Sequence, residues 1–112
     1  MVDASYVQLS VEQFDQGSRR VVALAGELDV ATAEIAERAL GQGFDVLDLS
    51  GLEFMDSAGI RILLGICRAR RDPVVVRGVT RAVRRILDIT GICDMLVFEE
   101  PATDRITSEQ RR

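Results

Sequence analysis

Few side chains in this protein are of types that carry out chemistry. Ser57 lies in the segment Asp56-Ser57-Ala58-Gly59, and the two cysteines are Cys67 and Cys93. All fourteen basic residues are arginines, because the sequence contains neither lysine nor histidine. A serine or cysteine nucleophile needs a base to activate it, and a phosphate-binding loop of the Walker type needs a lysine. The sequence therefore predicts that the protein is not an enzyme. Two cysteines without histidine also predict no zinc site, and we expect no cofactor.

Length, composition and charge narrow the class of protein. The chain has 112 residues, 47% of them hydrophobic, which suits one domain with a substantial core. We expect the domain to cover residues 1–104 and residues 105–112 to form an exposed, flexible tail of low apolar content. The net charge of -4 gives no general attraction to nucleic acid or to an anionic membrane. With no leader-like or membrane-spanning pattern, we expect a cytoplasmic protein that binds another protein.

The sequence predicts strands and helices that alternate along the chain, and these elements position Ser57. The sequence predicts a hairpin that leads into a central strand, from apolar alternation at 7–11, a turn-like stretch at 15–18 and an apolar run at 21–25. Residues 26–29 are predicted to break this strand. A second strand at 46–49 precedes a loop at 54–59, which places Ser57 at the start of a helix. The remaining strands are predicted at 74–76 and 95–98.

Three helices are predicted from apolar residues at helical spacing. Thr32 or Asp29 can cap the first helix and Thr80 the third, and glycines follow both. The apolar faces consist of Ile35, Ala36, Ala39 and Leu40 in the first helix, Ile60, Leu63, Leu64 and Cys67 in the second, and Val83, Ile86, Leu87 and Thr90 in the third. We expect a single α/β domain with a mixed, mostly parallel sheet of about four to five strands and about three to four helices packed against it.

A serine at a helix N-terminus is exposed and lies beside free N–H groups, so it can accept a phosphate without unfolding the domain. Taken alone, Ser57 is more typical of an ordinary N-cap serine than of a phosphorylation site. Asp56 can likewise be a capping carboxylate or a contact for a partner. The wider sequence context decides between these interpretations.

Three segments in order along the chain resemble the STAS domain, and in particular the small anti-sigma-factor antagonists of bacteria. They cover residues 24–29 (Leu-Ala-Gly-Glu-Leu-Asp), residues 47–59 (Leu-Asp-Leu-Ser-Gly-Leu-Glu-Phe-Met-Asp-Ser-Ala-Gly) and residues 83–91 (Val-Arg-Arg-Ile-Leu-Asp-Ile-Thr-Gly). The resemblance implies that an unphosphorylated form binds an anti-sigma factor with serine kinase activity and thereby releases a sigma factor. It also implies that phosphorylation of Ser57 blocks binding and that a PP2C-type serine phosphatase restores it.

The resemblance also implies which residues form the site. The partner-binding residues are Asp29, Asp56, Ser57, Ala58, Gly59 and Arg61, and the scaffold of the site includes Gly26 and Glu27. Two residues depart from the family pattern: Ala58 replaces a common second hydroxyl residue, and Arg61 replaces a small one. Arg61 lies one helical turn beyond Ser57, where it can pair with Asp56 or with a phosphate.

Several other interpretations compete with a phosphorylation switch. A STAS domain can serve as an unphosphorylated adaptor subunit, for example of an ABC-type lipid transporter. Seven arginines between residues 68 and 85 raise the possibility of nucleic-acid binding, but the net charge and the scarcity of aromatic residues favour a solvated surface. A phospho-aspartate receiver built on Asp48 is excluded by the missing lysine. The cysteines, set among apolar neighbours, are predicted to be buried thiols.

Overall fold

Strands and helices alternate along the chain in the predicted order. The computed structural model describes residues 8–99. The strands are β1 (Leu9–Gln16), β2 (Arg19–Leu28), β3 (Val46–Met55), β4 (Val74–Arg77) and β5 (Leu96–Glu99). The helices are α1 (Ala33–Leu40), α2 (Ser57–Ala69) and α3 (Arg81–Thr90), and a 3-10 turn spans Ile92–Met95.

The strands form one five-stranded sheet in the order β1-β2-β3-β4-β5. β1 is antiparallel to β2, and the other neighbouring strands are parallel. One core unites inward side chains of the sheet, such as Val22, Leu47 and Val76, with Leu63 of α2 and Leu87 of α3. The predicted α/β class and the mixed, mostly parallel sheet with helices packed against it are therefore confirmed.

The central strand β2 continues through residues that were predicted to break it. Gly26 lies within β2 at a positive φ of 107°, beside an irregularity in the pairing with β3. A Cβ at this position would overlap the carbonyl oxygen of Gln8, which accepts a hydrogen bond from the N–H of Glu27 at 2.6 Å. Because glycine tolerates this backbone, the strand bends instead of ending and reaches Leu28.

The predicted strand at 46–49 is also too short. β3 extends to Met55, and its pairing with β2 shifts register between Ala23 and Ala25 and again between Gly26 and Glu27. Ala23 pairs with Asp48 whereas Ala25 pairs with Gly51, so β3 contains an extra residue there. Such bulges interrupt the apolar alternation that identifies a strand in a sequence. The connection from β3 to α2 consequently shrinks to one residue, Asp56.

Two residues that were predicted to lie on the apolar faces of helices are exposed. Ile35 of α1 is 45% exposed, and Thr90, the last residue of α3, is exposed with its hydroxyl donating to the carbonyl oxygen of Leu87 at 3.0 Å. A short helix buries only its central stripe, so spacing assigns its margins poorly. Both cysteines are free thiols, and Cys67 is buried as predicted whereas Cys93 is only half-buried.

Gly26 provides a test of the bend in β2. Changing Gly26→Ala should lower the free energy of unfolding by about 2–4 kcal/mol, because the new Cβ meets the Gln8 carbonyl and the backbone has a positive φ. Gly43 also has a positive φ (97°) but no atom within 4 Å of a built Cβ. Gly43→Ala should therefore cost only about 1 kcal/mol in the same urea titration. Equal losses in the two variants would show that close packing at Gly26 contributes nothing.

An ion pair joins β3 to β4 near the middle of the sheet. The Arg77 Nε lies 3.1 Å from Asp48 Oδ2, and the two side chains are 12% and 18% exposed, respectively. The Ser50 N–H and hydroxyl donate to Asp48 Oδ1 at 2.9 and 2.7 Å. Partial burial alone would raise the pKa of Asp48, but the hydrogen bonds from Ser50 and the contact with Arg77 outweigh it and hold that pKa below its ordinary value of 3.8.

A depressed pKa makes this interaction sensitive to acid. The stabilisation that Asp48 provides is present above pH 3.8, its ordinary pKa, and is lost as the pH falls through the lower pKa of the folded protein. The variant Asp48→Asn should be less stable at pH 7 and should lose less stability than the wild type between pH 7 and strongly acidic solution. Urea titrations across this range measure the difference. Asp72→Asn, at an exposed position, is the control and should keep the wild-type slope.

Candidate functional site

Asp56 starts helix α2 and forms its N-cap. Its backbone is extended (φ -112°, ψ -164°), and its Oδ1 accepts the N–H groups of Ala58 at 2.9 Å and Gly59 at 3.4 Å. Its own carbonyl oxygen accepts the N–H of Ile60 at 3.0 Å. Asp56 thus satisfies three donors of the first helical turn, which confirms the capping interpretation of this residue.

Ser57 is the first residue of α2 and lies in solvent. Since Asp56 is the cap, Ser57 is not the N-cap serine that the sequence also allowed. Within residues 8–99 its hydroxyl has no hydrogen-bond partner. The expectation of free N–H groups beside Ser57 is met only in part, because Asp56 engages those of the next three residues and only the N–H of Ser57 itself has no acceptor within residues 8–99. The serine therefore presents a hydroxyl that the fold does not use.

The loop at residues 29–32, which joins β2 to α1, lies beside the start of α2 at the carboxyl end of the parallel strands. Asp29 Oδ1 accepts the N–H groups of Ala31 at 3.0 Å and Thr32 at 3.1 Å. The hydroxyl of the buried Thr32 donates to the carbonyl oxygen of Glu27 at 2.8 Å. Asp29 therefore orders the loop that enters α1, and Thr32 holds the loop to the end of β2.

The 29–32 loop and the start of α2 are held next to each other by hydrogen bonds between the backbones of the strand ends. Leu28 pairs with Met55, and the N–H of Asp56 donates to the carbonyl oxygen of Leu28 at 3.2 Å. Gly59 packs into this junction, where a Cβ would lie 2.6 Å from the Cγ of Met55 and 2.9 Å from that of Leu28. The structure thus places Asp29 and Ser57, two residues of the site that the resemblance implied, on neighbouring segments. Gly59 is a packing residue at this junction.

The remaining predicted site residues take two kinds of position. Ala58 is half-buried and Arg61 is exposed on α2, one turn beyond Ser57. In the described part of the chain Arg61 forms no ion pair, so the suggested pairing with Asp56 is absent. Gly26 and Glu27 lie within β2, behind the two loops, where they shape the strand end.

Two apolar residues at this edge were not among the predicted site residues. Val30, in the loop after Asp29, is 78% exposed, and Phe54, which pairs with Glu27 at the end of β3, is 46% exposed. Large apolar side chains beside exposed polar ones are typical of protein-binding surfaces. Sequence patterns did not reveal them, because an apolar residue near a strand end is ordinarily assigned to the core. We use the name serine surface for the exposed and half-buried residues at the ends of β2 and β3 and at the start of α2, namely Asp29, Val30, Phe54, Ser57 and Arg61.

The fold, together with the segment Asp56-Ser57-Ala58-Gly59 at the start of α2, is that of a STAS domain. A family model described as "Mlab, STAS domain" matches residues 13–97. Among curated proteins, the chain is 25% identical over 111 residues to an anti-sigma F factor antagonist of Paenibacillus polymyxa, covering 90% of this chain and 95% of that one. It is 31% identical over 94 residues to an anti-sigma-F factor antagonist of Mycobacterium tuberculosis, covering 75% of each chain.

Solved structures agree with these sequence comparisons. The crystal structure of an anti-sigma factor antagonist from Mycobacterium paratuberculosis matches with a TM-score of 0.71 and 28% identity, covering 89% of this chain and 92% of that one. The protein belongs to the STAS-domain family of anti-sigma-factor antagonists. Over residues 8–99, no helix is long and apolar enough to cross a membrane.

The roles of the two neighbouring residues can be separated by their effects on stability. Asp56→Ala should lower the free energy of unfolding by about 1 kcal/mol because the cap is lost, and Asp56→Asn by only a few tenths because asparagine also caps. Ser57→Ala should change it by less than about 0.5 kcal/mol, because the hydroxyl bonds to nothing that the fold needs. Urea denaturation of the three variants tests this. A loss in Ser57→Ala as large as that in Asp56→Ala would contradict the assignment of Asp56 as the cap.

Proposed function

We propose that this protein is a phosphorylation-controlled antagonist of an anti-sigma factor. Its unphosphorylated form binds an anti-sigma factor that has serine kinase activity, and the sigma factor is thereby released. The kinase phosphorylates Ser57 and so blocks binding, and a PP2C-type serine phosphatase reverses the modification. In this scheme the protein has no catalytic activity of its own and acts in the cytoplasm, and residues 1–104 constitute the STAS domain, with 105–112 as a tail.

The observation that carries this proposal is that the Ser57 hydroxyl has no hydrogen-bond partner within residues 8–99. Asp56 caps the helix and Gly59 packs against the strand ends, so the fold does not use the Ser57 side chain that lies between them. A phosphate on Ser57 therefore costs the fold little. A switch needs such a position, because the modified protein must stay folded if a phosphatase is to restore it.

The surroundings of Ser57 explain how a phosphate would prevent docking. The serine surface combines exposed apolar groups, Val30 and Phe54, with the carboxylate of Asp29. A phosphoserine adds a charge of about -1.5 to -2 to this surface. In an interface such a charge loses its hydration and is repelled by acidic neighbours, which costs several kcal/mol; each 1.4 kcal/mol is tenfold in affinity. Tight binding would thus become negligible.

The relatives support the identity of the partner. Proteins similar to this chain over most of their length are named anti-sigma factor antagonists. Their names describe opposition to an anti-sigma factor, and we propose that the serine surface is where this chain contacts such a partner. The kinase and phosphatase activities are the parts of the proposal that rest on the free hydroxyl and on the family resemblance.

A phosphorylation and binding experiment tests the proposal. The purified protein is incubated with the candidate anti-sigma factor and ATP, phosphate is mapped by mass spectrometry, and binding is measured before and after. We expect phosphate on Ser57 and loss of binding. Ser57→Ala should stay unmodified and bound, and Ser57→Asp should bind at least tenfold more weakly. Ser18→Ala, which removes an exposed serine in the β1–β2 turn, is the matched control and should behave as the wild type.

Two results would contradict the switch. Stable binding without any phosphate would favour the alternative of a permanent adaptor subunit with the same fold. Equal binding by wild type, phosphorylated protein and Ser57→Asp would show that Ser57 does not control the contact.

A further inference from the structure

Each helix of the described region contains an arginine at i,i+4 spacing from a polar residue, but only two of these arginines form ion pairs. Glu34 and Arg38 of α1 approach to 3.5 Å, and Arg84 and Asp88 of α3 approach to 3.2 Å. On α2, Arg61 follows Ser57 at the same spacing and forms no ion pair among residues 8–99. The order along α2, acceptor first and arginine four residues later, is that of the pair in α1. This order is the more favourable one in a helix.

Arg61 has no negatively charged neighbour on the unphosphorylated helix. The first turn of α2 contains no acidic residue. The helix-neighbouring positions of Arg61 are Ser57, Ala58, Leu64 and Gly65, and none has a negative charge. The carboxylate of Asp56 is turned to the backbone N–H groups that it caps. Among residues 8–99, Arg61 therefore has an unpaired charge one helical turn from Ser57.

A phosphate on Ser57 would need the partner that Arg61 can supply. Phosphates at helix N-termini ordinarily bind the free N–H groups of the first turn. Here Asp56 already holds the N–H groups of Ala58, Gly59 and Ile60, so that within residues 8–99 only the N–H of Ser57 itself is left in the first turn. Side chains four residues apart have Cβ atoms about 5–6 Å from one another and lean toward the N-terminus, which directs the Arg61 guanidinium toward residue 57.

We propose that Arg61 is the counter-ion of a phosphate on Ser57, in a bridge that spans one turn of α2. The inference rests on the proposed phosphorylation of Ser57 and specifies what the modified surface looks like. The phosphate lies along α2 instead of projecting freely, and the Arg61 guanidinium is no longer available to a partner. One modification thus adds an anion to the serine surface and withdraws a cation from it. Arg61 is a positioning residue for the phosphate.

The second pKa of the phosphate reports this bridge, because a nearby guanidinium favours the doubly charged form. Phosphoserine is incorporated at position 57 during translation, so that no kinase is needed, and the phosphate is titrated by phosphorus NMR. The free group has a second pKa of about 6. In Arg61→Gln this pKa should rise by about half a unit relative to the phosphorylated wild type, whereas Arg61→Lys should recover part of the shift. The nearby carboxylates of Asp29 and Asp56 are present in every variant and cancel in the comparison.

Arg68 supplies the matched control. It is exposed on the same helix, about 16 Å further along the axis from Ser57, and is too distant to reach the phosphate. Arg68→Gln should leave the second pKa at the wild-type value. The bridge is overturned if Arg61→Gln titrates like the wild type, or if Arg68→Gln shifts as much as Arg61→Gln, which would indicate a general charge effect.

These results are independent of the proposed switch. If the anti-sigma factor fails to phosphorylate Ser57, the proposed function is contradicted while the titration still measures the bridge. If kinase treatment abolishes binding but the titration shows no effect of Arg61, the switch stands and the bridge is wrong.

Discussion

The site depends on β2 and β3 ending side by side at the same edge of the sheet, where Leu28 pairs with Met55. The N–H of Asp56 donates to the carbonyl oxygen of Leu28, and Gly59 packs against Leu28 and Met55 so closely that a larger residue would not fit. The 29–32 loop and the start of α2 both follow directly from this junction. If either strand ended a residue earlier, the Asp29 loop and the start of α2 would no longer be neighbours. The bulges in the β2–β3 pairing are what bring the two strand ends into register.

Structural and functional tasks are divided among adjacent residues at the start of α2. The carboxylate of Asp56 satisfies the helix N-terminus, and the missing side chain of Gly59 permits close packing. Ser57 and Arg61 lie in solvent on the same side of the helix and take no part in either task. Under the proposed function, this division would let a phosphate on Ser57 change the surface without changing the fold, because the cap is a separate residue.

Much of the fold followed from the sequence. The hydrophobic periodicity identified the three helices, and turn and capping residues located their ends, including Thr80, which caps α3, and Gly91, which follows it in a left-handed conformation. The strands were identified but not their full lengths. β2 and β3 each extend further than their apolar runs, because glycine and polar residues at bulges interrupt the alternation while the backbone pairing continues. Pairing is a property of two strands together, and the sequence of one strand does not contain it.

The sequence by itself determined the kind of protein and the chemistry open to it. The absence of lysine and histidine removed most catalytic options, and the segment around Asp56, Ser57 and Gly59 marked the site within the STAS family. Only the tertiary structure decided which neighbour caps the helix, that the Ser57 hydroxyl has no hydrogen-bond partner within residues 8–99, and that Val30 and Phe54 are exposed near the ends of β2 and β3. The reason is physical: composition and spacing fix which groups exist, whereas the hydrogen bonds and exposure of each group depend on which distant segments pack against it.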